Sequence, residues 1–342
     1  LAQFLEYLES GERDPEEIAF MEPQAGGACR AGNIYNLLQR VLYRMAEQGQ
    51  TEYAQIPVIS LNLMGEEKHT GFRITPGLLS GGIAAGCYGD LIMCLYQQVK
   101  PYEQNPGETD RIRSQVEKKL CESIRRHRNG RHTREKNYRY ACEVFSKVPV
   151  KPGKKKRVGI TGEIYMKYSK LGNDDIESFL LRQGMEPYSG GFVNYCLYLV
   201  DTERYKAEKY QHNPIMVKAC AFVLHRLCEA QKHLLTVIGE TDRFQTDLPF
   251  PELKEKVQGI LAEGCNTGDG WLIAAEVIQY VEKGCGSVLI LHPFGCLVSH
   301  VCERGILQRL HARFPDVSIL TIEYDYDQSK TLRESRILLA IS

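Results

Sequence analysis

The stretch "SVLILHPFGCLVSHVCERGILQRLHARFPDVSILTIE", residues 287–323, decides the fold class. Its first apolar run is too short for a helix and unbroken by polar residues, which is the pattern of a strand buried on both faces. Helical spacing follows from about Val298 to Arg313, and "VSILTIE" is a second strand. A strand, a helix and a strand of these lengths make a right-handed βαβ unit on a parallel sheet. Between the first strand and the helix stands Pro-Phe-Gly-Cys.

The same rhythm extends upstream. "RVGIT" reads as a strand and "NDDIESFLLRQG" as a helix, with Asn173 as its N-cap and Gly184 as its stop. Helices are predicted over about Pro214–Val237 and Pro251–Glu263, and another ends at Gly284. "KVPVKPGKKKR", residues 147–157, has two prolines, a glycine and a run of cations and reads as a linker. Upstream of it, Glu108–Phe145 is polar with helical spacing, and Gly81–Val99 is apolar but interrupted by Asp90 and several glycines. That segment reads as a buried helix rather than a membrane span. A helix over Ala31–Glu47 carries Ile34, Leu37, Leu38, Val41 and Leu42 on one face, and "IPVISLNL" is a short strand. The predicted architecture is α/β: parallel sheets flanked by helices, in two flavodoxin- or Rossmann-like domains with extra helices. Residues 1–150 would form a partial α/β and helical domain and residues 151–342 the second.

Composition bounds the function. The 342 residues carry 43 basic and 43 acidic side chains, a balance that gives no drive toward nucleic acid or an anionic membrane. Twelve cysteines are scattered without the density of a disulfide scaffold, which points to a reducing cytoplasm where thiols are core residues or soft-metal ligands. The chain starts at Leu1 rather than Met and reads as a piece of something longer.

Ligands of parallel sheets bind at the carboxyl ends of the strands. Cys296 follows such an end and precedes a helix, where backbone N–H groups and the helix dipole favour a thiolate. Pro293 and Gly295 would shape that loop and let the backbone approach a ligand; a cysteine packed in a tight turn is the plainer alternative. Cys29 in "AGGACRAGN" also sits in a glycine turn before a helix, a setting suited to iron–sulfur ligation, with Arg30 able to balance cluster charge. Cys265 in "EGCNTGDGW" precedes a helix as well. "GITGEIYMKY" and "NTGDGW" are further glycine turns, neither a Walker A nor a complete dinucleotide motif. The remaining cysteines, Cys302 among them, fall in helical patterns and read as core. No CxxC pair occurs, which argues against zinc; a zinc or thiol hydrolase would need His292 or His300 to converge on Cys296.

Read in order, "CRAGNIYNLLQRVL", "IPVISLNLMG", "CYGDLIM", "VKPYEQNPGETD", "VGITGEIYMKYSKLGNDDIESFL", "GDGWLIAAEVI", "HPFGCLVSHV" and "IEYDYDQS" resemble one family. It is the C-terminal region of large proteins related to 2-hydroxyacyl-CoA dehydratases and their activators, a group that includes double-cubane cluster proteins. The resemblance runs from about Ala25 onward.

It implies a low-potential iron–sulfur cluster, [4Fe–4S] or double cubane, held by cysteines between domains in an oxygen-sensitive cytoplasmic protein of an anaerobe. An ATP-hydrolysing activator, separate or fused, would feed it electrons, and a CoA thioester or another small reducible molecule would be the substrate. Cys29 and Cys296 would be ligands, and the remaining ones would lie upstream of Leu1, where family members carry a "CYPxK"-like motif. The cluster would belong to the full-length protein, and the isolated piece would be inactive. The segment "YDYDQSKTLRESR" departs from the "YDPG" and asparagines usual in the family. A competing expectation is a cluster-free interaction domain that docks the activator.

Overall fold

The computed structural model describes residues 2–23, 29–61, 75–325 and 327–342. These form two compact units, Leu1–Ile74 and Thr75–Ser342.

In the first unit α1 (Ala2–Ser10), β1 (Phe20–Pro23), α2 (Ile34–Glu47) and β2 (Val58–Leu61) succeed one another. β1 and β2 pair in parallel, Phe20 opposite Val58. Leu38 and Leu42 of α2 are buried with Leu8, Tyr53, Ile56 and Val58, whereas Leu37, which the periodicity assigned to the same face, is half-exposed.

The second unit begins with three helices, α3 (Pro76–Val99), α4 (Glu108–Arg125) and α5 (Arg131–Ser146). Thr75 caps α3 by accepting the Leu78 N–H, with Pro76 at the first helical position. α3 is long and apolar enough to cross a membrane by length and composition alone. Its Leu91, Leu95 and Val99 are fully buried in the protein core, the place predicted for Gly81–Val99.

The unit continues as β3 (Arg157–Gly162), α6 (Ile164–Tyr168), α7 (Ile176–Arg182), β4 (Glu186–Tyr188), α8 (Phe192–Lys209), α9 (Pro214–Gly239), α10 (Phe250–Lys256), α11 (Gly270–Glu282), β5 (Cys285–Pro293), α12 (Leu307–Arg313), β6 (Ser318–Tyr324) and α13 (Lys330–Ile341). The four strands are all parallel in the order β4-β3-β5-β6. Side chains alternate across the sheet as the pleat requires. Val158, Ile160, Leu289, Leu291 and Ile322 pack on α7 and α13, while Val288, Ile290 and Ile319 pack toward α11 and α12. The fold is therefore α/β with helices on both faces, as the alternating sequence pattern predicts.

The 147–157 stretch is not where the chain divides. Glu103 bridges Val150, the Arg243 guanidinium donates to the carbonyls of Ser146 and Val148, and Lys155 Nζ donates to the Gly184 carbonyl. The bridge and Arg243 tie the start of the stretch to the rest of the unit and Lys155 ties its end, and the boundary falls at Ile74/Thr75 instead. The helix predicted over Pro251–Glu263 stops at Lys256, and Gly259 adopts a left-handed turn just beyond it.

Candidate functional site at the carboxyl ends of the strands

In the order β4-β3-β5-β6 the winding reverses between β3 and β5, and the crevice that such a switch point makes is expected outside their carboxyl ends. Gly162, the last residue of β3, sets its floor. Its φ is +133°, and a Cβ there would stand 2.0 Å from the Leu291 carbonyl oxygen of β5. Glu163 follows, donating its N–H to the Leu291 carbonyl (2.8 Å) and capping α6 by accepting the Met166 N–H (3.0 Å).

On the β5 side the strand ends at Pro293, and Phe294 and Gly295 turn the chain, Gly295 with φ +66°. Cys296 is half-buried, with helical residues starting at Leu297. The predicted position at a strand end and helix start is therefore correct. The predicted thiolate is not: burial pushes the Cys296 thiol up, Glu303 and Glu163 add to that, and the hydroxyl and N–H of Ser299 offset it only in part. The helix is also irregular, since Ser299–Glu303 winds as a π-helix and Arg304–Ile306 as a 3₁₀ turn before α12. Such wide turns recur at functional sites.

The third wall is "NTGDGW". A Cβ on Gly268 would meet Val298 at 3.0 Å, which sets this loop against the helical turn after Cys296. Asp269 and Asn266 are buried in it. Burial raises the Asp269 carboxyl well above its usual range, and Glu163, Glu303 and Glu276 push the same way. The thiol of Cys302, buried and raised to about 11, feels Cys265, Glu303, Cys296 and Asp269 beyond its desolvation. Three cysteines and three acids, Glu163, Asp269 and Glu303, thus share one crevice.

Glu303 is its least satisfied member. It is fully buried, only the Ser299 hydroxyl offsets the cost of its charge by hydrogen bonding, and burial lifts it to about 8, so it holds its proton at neutral pH. The sole buried cation against these acids among the described residues is Lys167, whose Nζ donates to both Glu276 oxygens at 2.7 and 2.8 Å. Thr161 Oγ1 donates to the same carboxylate at 2.6 Å. At the end of β4 the N-terminus of α8 is capped by Asp90, which accepts from the N–H groups of Phe192 and Val193; burial nevertheless raises Asp90 to about 7.

Of the predicted residues, Cys296, Gly295 and Cys265 belong to this edge. Cys29 and Arg30 lie in the other unit, at the start of the turn Arg30–Asn33 that leads into α2; Gln24–Ala28 of their glycine loop and the strand end at Asn62–Leu63 lie outside the described residues, as does Tyr326 of "YDYDQS". Cys302 is buried, as its assignment to the core predicts, and lies near enough to Cys265 and Cys296 to feel their charge. Glu303, Asp269 and the Lys167–Glu276 pair were missed. Glu276 had a signal, a lone carboxylate inside the apolar helix "WLIAAEVIQY".

His292 and His300 do not form a three-donor group with Cys296. Among the described residues the one such group within 4.8 Å joins them to Glu323 instead.

The fold and crevice define a doubly wound α/β protein with an acidic, thiol-bearing ligand edge. Compared with protein-family models, curated proteins and solved structures, the chain matches none.

Proposed function

We propose that this chain is part of an ATP-dependent iron–sulfur reductase or dehydratase-like protein of the cytoplasm, and that its crevice supplies cysteine ligands to a low-potential cluster. The observation that supports the reading is that Cys296 and Cys302 lie just past the carboxyl end of β5, at the switch point of the sheet, with Cys265 near enough for its charge to act on Cys302. Their donor chemistry fits: clusters are held by thiolates, and hydrogen bonds to the sulfurs tune them. Such a cluster, when bound, supplies single electrons of low potential to a small reducible substrate such as a CoA thioester. Ligation requires each cysteine to lose its proton, and the burial that raises the Cys296 and Cys302 thiols makes loading release protons to solvent. Glu303, lifted to about 8 by burial, and Asp269, whose carboxyl burial also pushes up, limit the negative charge beside the sulfurs.

The test is iron and sulfide analysis of protein prepared without oxygen. Cys296→Ala, and Cys302→Ala more sharply than a core packing role predicts, should each lower the iron content while the fold persists by circular dichroism. Iron content unchanged in both would overturn the proposal.

A second reading, a cluster-free domain that docks the ATPase activator, is favoured by Phe294, Leu297 and Val301, each more than half exposed beside the crevice. It requires a metal-free chain that still binds the activator and loses that binding in Leu297→Asp.

A further inference from the structure

Next to the thiol crevice, one strand over, lies a second set of donors that the iron–sulfur reading does not use. His292 near the end of β5 is in register with Glu323 of β6, and the alternation of the pleat puts both on the α12 face. The π-helical turn after Cys296 brings His300 over that same face. Glu323 Oε2 stands 3.9 Å from His292 Nδ1 and 3.9 Å from His300 Nε2, and the two imidazoles meet edge to face with centroids 5.7 Å apart. Two donors bound ~2.1 Å from one ion stand roughly 3.4 Å apart, so closure asks for about half an ångström of side-chain movement.

His292 is fully buried, with Nδ1 facing the Pro293 carbonyl at 3.3 Å and the Glu323 carboxylate, while Nε2 has no partner. The nitrogen that faces Glu323 is the one that would ligate, so on metal binding Nδ1 would give up its proton and Nε2 would carry the ring N–H. His300 is 40% exposed, which leaves an entry path from solvent.

We propose that His292, His300 and Glu323 form a mononuclear site for a divalent first-row transition-metal ion. Two imidazoles and one carboxylate, with the outer side open, are the donor set that such ions take while keeping positions for water or substrate. Arg304, which donates to Glu323 Oε2 at 3.1 Å, holds the carboxylate toward the histidines.

The experiment is titration of the full chain with Co²⁺, reading the ligand-field bands, alongside Zn²⁺ by calorimetry. One ion should bind, with no sulfur-to-cobalt charge-transfer band. His300→Ala and Glu323→Gln, both at solvent-reachable positions, should each weaken it by at least about 10–100-fold. Cys296→Ala should leave it unchanged, which separates this site from the cluster. A sulfur band, absence of binding, or equal affinity in both variants would overturn the site.

Discussion

The two edges of the four-stranded sheet are built from the same strands and treat charge in opposite ways. At the amino edge, the Arg157 guanidinium meets the Glu186 carboxylate at 2.6 Å and also donates to Gln245 Oε1 and the Lys283 carbonyl, both at 2.9 Å. Tyr102 donates to the other Glu186 oxygen at 2.7 Å. At the carboxyl edge, Glu303 has no cation paired with it and only the Ser299 hydroxyl near it, and the Nε2 of His292 has no partner. An edge whose polar groups are all paired contributes stability and little else; buried groups left unpaired persist where something other than stability is served. The contrast supports placing the proposed site at the carboxyl edge.

The largest effect should come from backbone crowding. Gly162→Ala drives a Cβ into the Leu291 carbonyl at a φ of +133° and should cost more than about 4 kcal/mol or abolish folding. Gly286→Ala, at the amino edge with nothing within 4 Å, should change stability by less than about 1 kcal/mol. Similar melting temperatures for the two variants would break the comparison.

Next, Arg157→Met should destabilise by about 3–5 kcal/mol in urea unfolding, because it strands the buried Glu186 carboxylate.

At the carboxyl edge the sign reverses. Glu303 keeps its proton up to about 8 when folded and ionises near 4.5 when unfolded. The folded state therefore binds more protons between those values, and stability falls as pH rises through that window, by up to ~1.4 kcal/mol per unit. Glu303→Gln should flatten part of that fall, matching the parent near pH 5 and exceeding it by roughly 1–3 kcal/mol near pH 8. An unchanged pH profile would mean the carboxyl is not buried alone.

The smallest effect is set by solvent. Lys147→Ala removes the exposed pair with Glu143 and should shift stability by no more than about 0.5 kcal/mol.

The sequence made the sheet legible because β5 is buried on both faces and writes that as an uninterrupted apolar run, and because Pro293 and Gly295 punctuate its end. Cys296 was legible from that punctuation. Cys302 and Glu303 were not, since regular helical spacing places them by a 3.6 period and the chain there winds wider. The unit boundary was misjudged for a different reason: the cations of 147–157 look solvated in one dimension, while in three Lys155 and Arg157 donate to the distant carbonyls of Gly184 and Lys283. Asp269 was hidden by its own loop, where an acid beside glycines reads as a turn former. The pairing of Lys167 with Glu276 spans 109 residues, beyond any local pattern.

The wide turn at Ser299–Glu303 has a consequence for how this edge can change. A regular helix advances about 100° per residue, so deleting one exposed residue, Val301, would restore ordinary winding and swing Cys302 and Glu303 by about that angle relative to Cys296 and His300. The strands would keep their order and the core its packing on either side. What joins the thiol crevice to the histidine pair is thus one residue of chain length, a quantity that insertion and deletion alter and point substitution does not.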